Sequence, residues 1–376
     1  MSAPYRSVLV TPNVLGADGV SCLSRQIALA LPDPAMVLTL HDVPLGAEAA
    51  GADCTRVSAG GSRLRFLALS FRLALGCDRA TTIVCGHLHL AAVARAMAWR
   101  GARVTYVLCG IEAWVPLRAA ERWALAAGRI VAISRHTAGR FKAANPRFSG
   151  VPIDVCHPGL PALAIEASKT AGESAESTHV PGAGPAALIV GRLAADEGYK
   201  GHELLIEAWP RILERHPGAR LWIVGGGDDR QRLESVAARL GLGGTVIFMG
   251  RVSDRELDVL YRRCRFFVMP SRHEGFGLVF LEAMRAGKAC IGAIGAASEI
   301  IEHGVTGLIV DPSRPGEVRD AVVRLFDEPD TCEAFGRAGA ARFRAEFTDA
   351  CFRARFAAVI PAADVSPPLP AADRCA

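Results

Sequence analysis

Several patterns that define common protein classes are missing from this 376-residue chain. No stretch of 18 uncharged apolar residues occurs, so we expect no membrane-spanning helix, and the first ten residues lack the layout of a signal peptide. There is no Asp-x-Asp sequence, no CxxC pair and no His/Cys spacing typical of zinc ligands. A P-loop and a serine-hydrolase elbow are missing too. The sequence therefore predicts no metal site and favours neither a P-loop NTPase nor a serine hydrolase.

Cysteine is present without a pairing pattern. The eleven cysteines are scattered and odd in number, which favours reduced thiols in a cytoplasmic protein, used mainly as small core residues. Hydrophobic residues make up 51% of the chain and charged residues 22%. A chain of this length and composition can bury two hydrophobic cores, so we expect two domains.

The charge of the chain is uneven. Residues 1–160 carry 17 Lys and Arg against 9 Asp and Glu, a net charge of +8, whereas the remainder has a net charge of −3. A basic half favours an anionic partner, such as a lipid surface or a phosphorylated acceptor. The alternative is an Arg-rich genome, since Lys occurs only four times. Because no basic-aromatic platform is present, a nucleic-acid partner is not expected.

Short apolar runs alternate with helical patterns along the chain. We predict strands at residues 7–11, 82–85, 104–108, 129–133 and 153–156, and a second series at 187–190, 221–224, 245–249, 266–269 and 290–293. Helices are predicted at 64–79, at 202–215, and as two segments between Asp311 and about residue 359. Strands that alternate with helices build parallel sheets, so the predicted class is α/β with two doubly wound domains.

A stretch rich in Ala, Ser, Gly, Pro and Thr separates the two series. We predict an N-terminal domain at 1–160, a linker at 161–184, a C-terminal domain at 185–345, a last helix at 346–360 that could pack back on the N-terminal domain, and a tail at 361–376. Two such domains would face each other across a cleft. Ligands of open parallel sheets bind beyond the carboxyl ends of the strands.

The clearest chemical motif follows the predicted strand at 266–269. Glu274 and Glu282 stand eight positions apart across a loop-to-helix junction. Small residues between them expose backbone N–H groups at a helix N-terminus, which is a ready anion site. A carboxylate beside such a site can accept hydrogen bonds from sugar hydroxyls. The alternative is a capped surface helix with incidental acidic residues.

This segment resembles the E-x7-E motif of the family 4 retaining glycosyltransferases (glycosyl transferases group 1), which have the GT-B fold. The resemblance implies that Glu274 contacts the donor sugar and that Glu282 holds the ribose hydroxyls. It also implies that the base meets backbone atoms near Val252. The amides implied to bind sugar and phosphate belong to Gly275, Phe276, Gly277, Leu278 and Val279.

Two cations follow the first predicted strand of the second domain. Arg192 comes directly after that strand, and Lys200 lies eight residues further on. Charge-assisted hydrogen bonds to phosphate are strong, and the same family places an Arg and a Lys here to neutralise the leaving diphosphate. The alternative is a pair of solvated loop charges.

Two N-terminal segments resemble the family with departures. In relatives a Gly-Gly loop after the first strand reaches the donor diphosphate; here Asp18 replaces the first Gly, and the loop would approach the phosphate through Gly16 or Gly19. Relatives also hold a His where Cys109 stands. A thiol is a poor substitute for imidazole, so either Cys109 only shapes the sugar pocket or His87 or His89 takes over.

The predicted helix at 64–79 carries Arg65, Arg72 and Arg79 at seven-residue intervals. One interpretation is contact with an anionic membrane surface, and the other is an ordinary domain helix with a solvated Arg stripe.

Together the resemblances imply a two-domain GT-B enzyme that binds its donor mostly on the C-terminal domain. It would move a sugar from a UDP- or GDP-sugar to an acceptor hydroxyl with retention, as a hexosyltransferase that needs no metal or other cofactor. The implied setting is polysaccharide or glycolipid synthesis on a glycan or lipid-linked acceptor, in the cytoplasm or peripherally at the inner face of the membrane. Two alternatives stay open: a nucleotide-sugar epimerase of similar fold, and a non-catalytic nucleotide-sugar-binding subunit.

Overall fold

The chain forms two compact α/β units. The computed structural model describes residues 5–16, 18–43, 54–162, 184–314 and 316–360. Unit 1 takes its described residues from Met1–Ala132, Ala144–Cys156 and Arg353–Ala376, and unit 2 takes them from Ile133–Ala143 and His157–Phe352. The predicted linker lies mostly, and the predicted tail wholly, outside the described residues.

Unit 1 is built on a seven-stranded parallel sheet with the order β3-β2-β1-β4-β5-β6-β7. Its strands are β1 Ser7–Thr11, β2 Ala35–Thr39, β3 Cys54–Ser58, β4 Thr82–Cys85, β5 Arg103–Leu108, β6 Arg129–Ala132 and β7 Ile153–Val155. The helices between them are α1 Gly19–Ala30, α2 Arg63–Leu75, α3 Ala91–Met97, α4 Ala119–Leu125 and α5 Arg135–Ala144, whose first nine residues belong to unit 2. Because parallel strands connect through right-handed crossovers, α2, α3 and α4 cover one face of this sheet and α1 covers the other.

Unit 2 repeats the plan with a six-stranded parallel sheet in the order β10-β9-β8-β11-β12-β13. Its strands are β8 Ala186–Val190, β9 Arg220–Val224, β10 Val246–Gly250, β11 Phe266–Met269, β12 Ala289–Ala293 and β13 Gly307–Val310. Its helices are α6 His202–Arg215, α7 Arg230–Arg239, α8 Asp254–Arg263, α9 Leu278–Arg285, α10 Glu317–Asp327 and α11 Pro329–Glu346, and α12 Asp349–Val359 runs from unit 2 into unit 1. The predicted class, two Rossmann-like parallel-sheet domains, is confirmed.

Local sequence explains where the helices of unit 2 begin and which face they bury. A capping box begins α8, since the Ser253 hydroxyl accepts from the backbone N–H of Glu256 while the Glu256 carboxylate accepts from that of Ser253. Helix α6 buries Leu205, Trp209 and Ile212 at three- to four-residue spacing, and the Trp209 ring packs edge-on against Phe326 of α10.

Two helix predictions are wrong. The helix predicted at 64–79 ends at Leu75, because Gly76 takes the C-cap position, so Arg79 lies outside it and does not continue a stripe with Arg65 and Arg72. The end of the described chain holds three helices where two were predicted. Pro329 begins α11 at its first position, which separates it from α10.

In both sheets the strand order reverses beside the first strand. The reversal lies between β1 and β4 in unit 1 and between β8 and β11 in unit 2. Loops that leave such neighbouring strands in opposite directions open a crevice beyond their carboxyl ends. In unit 2 the loops at that point carry Arg192 and Glu274. None of the helices in the described part of the chain has the length and apolarity needed to span a bilayer.

Candidate active site

The glutamate motif forms a tight turn between β11 and α9. Gly277 has a φ of +101°, and a Cβ added there would lie 2.7 Å from the Phe280 ring, so this position requires glycine. The carbonyl oxygen of Gly275 accepts hydrogen bonds from the hydroxyls of Ser134, at 2.7 Å, and Thr137, at 3.1 Å. These contacts hold the loop in one conformation.

The N-terminus of α9 opens onto this turn. Phe276 is buried and stacks on His157 with ring centroids 5.4 Å apart. This contact fixes the turn to the interior of unit 2. Gly277, at the N-cap, has no side chain to cap the first N–H groups of the helix, those of Leu278 and Val279. Uncapped N–H groups at the positive end of a helix dipole favour an anion.

Glu274 is a half-buried carboxylate beside two cations and one further acid. Burial raises its pKa most; Lys200 and Arg192 lower it and the nearby Glu197 raises it, and together these effects give a pKa of about 7. Near neutral pH this group is therefore divided between its ionised and protonated forms. It can accept a hydrogen bond from a sugar hydroxyl in the first form and donate one in the second.

Glu282 lies one helical turn into α9 and is held by Tyr261. The Tyr261 hydroxyl donates to Oε2 of Glu282 at 2.8 Å. Burial raises the pKa of Glu282, and the Tyr261 hydrogen bond opposes this. The Tyr261 hydroxyl thus occupies Oε2, one of the two oxygens with which a carboxylate can accept hydrogen bonds. Val252, half-buried, lies between the end of β10 and the start of α8.

Arg192 and Lys200 share a counter-ion that the sequence motif did not identify. Glu197 is buried; its Oε1 pairs with Arg192, and its Oε2 lies 2.8 Å from the Lys200 Nζ. The Arg192 side chain is nevertheless 70% exposed. The only sequence signal for Glu197 was an acid three residues before Lys200, a spacing found on many solvated helices.

The loops that carry these cations are packed against the Gly225-Gly226-Gly227 segment after β9. A Cβ at Gly225 would lie 1.8 Å from the Gly191 carbonyl oxygen, and one at Gly227 would lie 1.9 Å from that of Leu193. Glycine is therefore required at Gly225 and Gly227, because the backbone of the neighbouring loop lies where a side chain would be.

Glu299 is a second residue that sequence reasoning missed. Its carboxylate accepts from the backbone N–H groups of Arg135, at 2.9 Å, and His136, at 2.7 Å, and lies 2.9 Å from the His157 Nε2. Burial disfavours its charge, but the hydrogen bonds from His157 and His136 outweigh burial and lower its pKa. Glu299 therefore caps α5 and fixes the ring on which Phe276 stacks. Its partners lie more than 140 positions away in sequence, so no local pattern could reveal it.

In unit 1, the loop after β1 is organised by Asp18. Its carboxylate accepts from the N–H groups of Val20 and Ser21, each at 3.0 Å, and from the Ser21 hydroxyl at 2.6 Å. Asp18 thus caps α1 and occupies two of the N–H groups at the N-terminus of that helix. A Cβ at Gly16 would meet Ser21 Oγ at 2.5 Å, whereas Gly19, the first residue of α1, has open space around it. The substitution of Gly by Asp therefore has a structural reason.

The structure brings Cys109 and His87 together at the ends of the adjacent strands β5 and β4. The Cys109 thiol donates to the carbonyl oxygen of Gly86 at 3.1 Å. Oε1 of Glu112 accepts from the backbone N–H groups of Cys109 and Gly110, at 2.8 and 3.0 Å. Burial raises the pKa of Cys109 well above its ordinary value, and Glu112 adds to the effect. The thiol is therefore neutral and acts as a hydrogen-bond donor.

His87 is half-buried and neutral at pH 7. Burial lowers its pKa, against the effect of Glu112. Its Nδ1 accepts from the backbone N–H of His89 at 3.4 Å, which leaves the proton on Nε2. In the described ranges, no group of three or more His, Cys, Asp or Glu side chains is arranged to hold a metal ion.

We expect Glu274→Gln to change the pH dependence of stability. Because the folded pKa of about 7 lies above the ordinary 4.5, the folded protein binds the proton more tightly, and the wild type loses stability as pH rises through this window. The Gln variant has no proton to lose at this position. The difference in melting temperature, variant minus wild type, should therefore increase as the pH is raised from 4.5 to 7. Glu302→Gln, which changes an exposed acid, is the control. A constant difference across this window would contradict the raised pKa.

Comparison with known proteins finds a family model that matches part of the chain. Residues 173–342 match the model of the family described as Glycosyl transferases group 1. A segment of 142 residues is 42% identical to an uncharacterized glycosyltransferase of Methanocaldococcus jannaschii and covers 38% of this chain and 35% of that protein.

A longer segment of 216 residues is 34% identical to the GDP-mannose-dependent alpha-(1-6)-phosphatidylinositol monomannoside mannosyltransferase of Mycobacterium tuberculosis. It covers 55% of this chain and 54% of that protein. The chain thus spans between a third and just over half of the length of these two curated relatives.

Solved structures share the whole fold at low identity. The Anabaena protein HepE in complex with UDP and glucose has a TM-score of 0.73 and 20% identity, covering 94% of this chain and 99% of that one. The alpha,alpha-trehalose 6-phosphate synthase from Burkholderia multivorans has a TM-score of 0.73 and 17% identity, covering 94% and 96%. At these identities the likeness shows the fold, which is of the GT-B type.

Proposed function

We propose that the chain is a retaining, metal-independent glycosyltransferase of the hexosyltransferase type, as in family 4, with a UDP- or GDP-sugar as donor. The observation that carries the proposal is the arrangement at the strand-order reversal of unit 2. Glu274, two cations and the uncapped N-terminus of α9 lie there together. The carboxylate can bind the hydroxyls of a sugar, and the cations and free N–H groups beside it can bind a diphosphate joined to that sugar.

In the proposed reaction the acceptor oxygen attacks the anomeric carbon on the face from which the diphosphate leaves. The bond from that carbon to the diphosphate oxygen breaks, and a phosphate oxygen takes the acceptor proton. Arg192, Lys200 and the N–H groups from Gly275 to Val279 stabilise the charge that grows on the diphosphate. Glu274 orients the sugar, Glu282 holds the ribose hydroxyls, and backbone atoms near Val252 meet the base.

Glu197 gives this site a resting state. Before the donor arrives, the carboxylate pairs with both cations, leaves one net positive charge, and keeps the cations near their proposed working positions. A diphosphate would compete with Glu197 for both cations, of which Arg192 is the more exposed. Charge-assisted pairs of this kind can exchange without large rearrangement.

The names of the relatives support the donor and acceptor classes. The Mycobacterium relative uses GDP-mannose and a phosphatidylinositol mannoside, and HepE was solved with UDP and glucose. We propose an acceptor hydroxyl on a glycan or lipid-linked sugar, in polysaccharide or glycolipid synthesis. We place the reaction in the cytoplasm, where a chain with eleven scattered cysteines keeps them as thiols.

A donor screen tests the proposal. Purified chain is incubated with UDP- and GDP-sugars, and release of the nucleoside diphosphate is followed with and without EDTA. We expect slow hydrolysis of one donor, unchanged by the chelator, since cationic side chains replace the metal. Loss of activity in EDTA that a divalent ion restores would contradict the metal-free mechanism. Conversion of the donor to an isomer would indicate an epimerase, and tight binding without turnover would indicate a non-catalytic subunit.

Cys109→Ala is expected to keep most of the transfer activity. The neutral thiol contributes one weak hydrogen bond to a backbone carbonyl, so the loss should stay within about fivefold. His87→Ala should cost more, because only an imidazole there could exchange a proton near pH 7. His89→Ala, on the exposed neighbouring ring, is the matched control. A loss of about a hundredfold for Cys109→Ala would show that the thiol is essential.

A further inference from the structure

Helix α2 of unit 1 exposes an apolar face. Leu64, Leu67, Phe71 and Leu75 recur at three- to four-residue intervals and are 82%, 52%, 66% and 48% exposed. The opposite face, which includes Phe66 and Leu73, is buried against the sheet. An apolar face that no described residue of the chain covers is unusual for a helix on the surface of a soluble domain.

Exposed arginines flank this apolar face. Arg63, Arg65 and Arg72 lie on α2 itself, and neither α2 nor its neighbour α3 contains an acidic residue. Beyond the end of α2, the Arg100 guanidinium donates to the carbonyl oxygen of Leu75. The cationic border of the apolar face therefore continues from α2 to the end of α3.

Two tryptophans extend the same side of the unit. Trp99, after α3, is 62% exposed and has the Arg100 guanidinium 5.9 Å from its ring centroid. Trp123, on α4, is 53% exposed and has Arg95 at 5.4 Å. Tryptophan has an apolar ring and a polar N–H group, and arginine is charged. The pair is therefore favoured at a boundary between an apolar layer and a charged one.

A pocket of about 500 Å³ lies next to Trp99, lined among others by Arg95, Arg103, Val104 and Arg129. It is at the amino-terminal ends of β5 and β6, the sheet edge opposite Cys109. Arg129 is paired with Asp154 at 2.6 Å. The Nε atoms of Arg95 and Arg103, by contrast, are buried and have no hydrogen-bond partner among the described residues.

Arg95 and Arg103 both line this pocket, and charge-assisted hydrogen bonds from arginine to an anion are strong, so the pocket favours an anionic ligand. A phosphate diester would suit this pocket, because its oxygens could accept from arginine while its glycerol part would lie beside Trp99 and Val104.

We propose that the outer faces of α2, α3 and α4, with the basic pocket beside Trp99, form a docking surface for a bilayer that contains anionic phospholipid. The apolar face of α2 would enter the interface, the flanking arginines would meet headgroup phosphates, and the pocket would hold one headgroup phosphate. The proposal is independent of the proposed sugar transfer, although it would bring the enzyme to a lipid-linked acceptor.

The charge pattern favours a bilayer over a second copy of the chain. A two-fold interface places the same patch against itself, so the arginines that border α2 would face arginines, which is unfavourable. An anionic bilayer instead has negatively charged headgroups outside an apolar layer. The arginines that border α2 can meet the headgroups while the apolar face of α2 meets the layer beneath.

Sedimentation with vesicles tests the proposal on the full chain without any nucleotide sugar. Vesicles of phosphatidylcholine alone are compared with vesicles that also contain phosphatidylglycerol. We expect binding only to the second kind, decreasing with salt, with a blue shift of tryptophan fluorescence. Phe71→Asp should weaken binding about tenfold or more, because it puts a charge into the apolar face. Arg103→Gln should weaken it about fivefold, the effect of one cation near the surface.

Two controls match these variants. Leu29→Asp adds the same charge at a leucine that is 51% exposed on α1, across the sheet, and Arg147→Gln removes an exposed arginine from elsewhere in unit 1. Both should bind vesicles as the wild type does. Equal binding of wild type and Phe71→Asp would overturn the proposal, as would equal binding to both kinds of vesicle or none to either. Arg103-dependent binding of glycerol 3-phosphate without vesicle binding would identify a soluble ligand and also overturn it.

Discussion

Alanine in place of Arg192 is expected to lower kcat about a hundredfold or more, with a smaller change in KM. The negative charge on the leaving diphosphate grows as the bond to the sugar breaks, so a cation beside it stabilises the transition state more than the bound donor. Arg192 suits this role because its side chain is 70% exposed while Glu197 holds it in place. Steady-state kinetics with the donor identified by the screen would measure both constants.

Arg337→Ala provides the matched control for Arg192→Ala. Arg337 is 73% exposed and is also paired with a glutamate, Glu333, but it lies on α11. Its loss should leave kcat and KM unchanged. If Arg192→Ala raised KM alone, the side chain would act in ground-state binding, and its proposed role at the leaving group would be wrong.

Glu282→Ala is expected to weaken binding of the nucleoside diphosphate alone about tenfold to a hundredfold, which is about 1.5–3 kcal/mol for a lost charged hydrogen bond. Glu274→Ala should leave this affinity nearly unchanged, since Glu274 is assigned to the sugar, which the diphosphate lacks. Calorimetric titration of both variants measures the difference. Equal affinities would contradict the division of roles between the two carboxylates.

Tyr261→Phe distinguishes a direct role of Glu282 from a structural one. The phenol hydroxyl holds Glu282 at 2.8 Å but does not itself face the ribose in the proposed site. Its removal should weaken nucleotide binding less than Glu282→Ala does. If the two variants bound nucleotide equally weakly, loss of the hydrogen bond between Tyr261 and Glu282 would explain both effects, and contact of Glu282 with the nucleotide would not be needed.

Much of the fold could be predicted because apolar runs and caps are local signals. Strands Ser7–Thr11, Thr82–Cys85 and Phe266–Met269 and helix His202–Arg215 have the bounds that the sequence predicts. Each is a compact run or a regular helical pattern with clear ends.

Three strands were not predicted. Strands β2, β3 and β13 have four or five residues each, and β3 and β13 lie at sheet edges. Their sequences carry little periodicity, and pairing with a neighbour decides their conformation. The overlong helix prediction at α2 has a similar cause, since the apolar and Arg pattern continues past Gly76 although the helix does not.

The candidate site was predicted in part. Glu274, Arg192 and Lys200 were predicted from motif spacing. In the structure the two cations lie close enough to Glu274 to lower its pKa. Glu197 and Glu299 were missed because their roles depend on ion pairs and backbone contacts that form only in the folded chain. Asp18 and Cys109 depart from the family pattern, and only the structure shows what they contact. Asp18 accepts from the backbone N–H of Ser21, and the Cys109 thiol donates to the Gly86 carbonyl oxygen.

Hydrogen exchange with and without nucleotide tests the central claim most directly. The claim is that unit 2 binds the nucleoside diphosphate at the glutamate turn and the cation loop. UDP or GDP should slow amide exchange in peptides that cover residues 274–282 and 191–201, and Glu282→Ala should reduce that protection. Protection confined to unit 1, or none at nucleotide concentrations that inhibit turnover, would contradict the account.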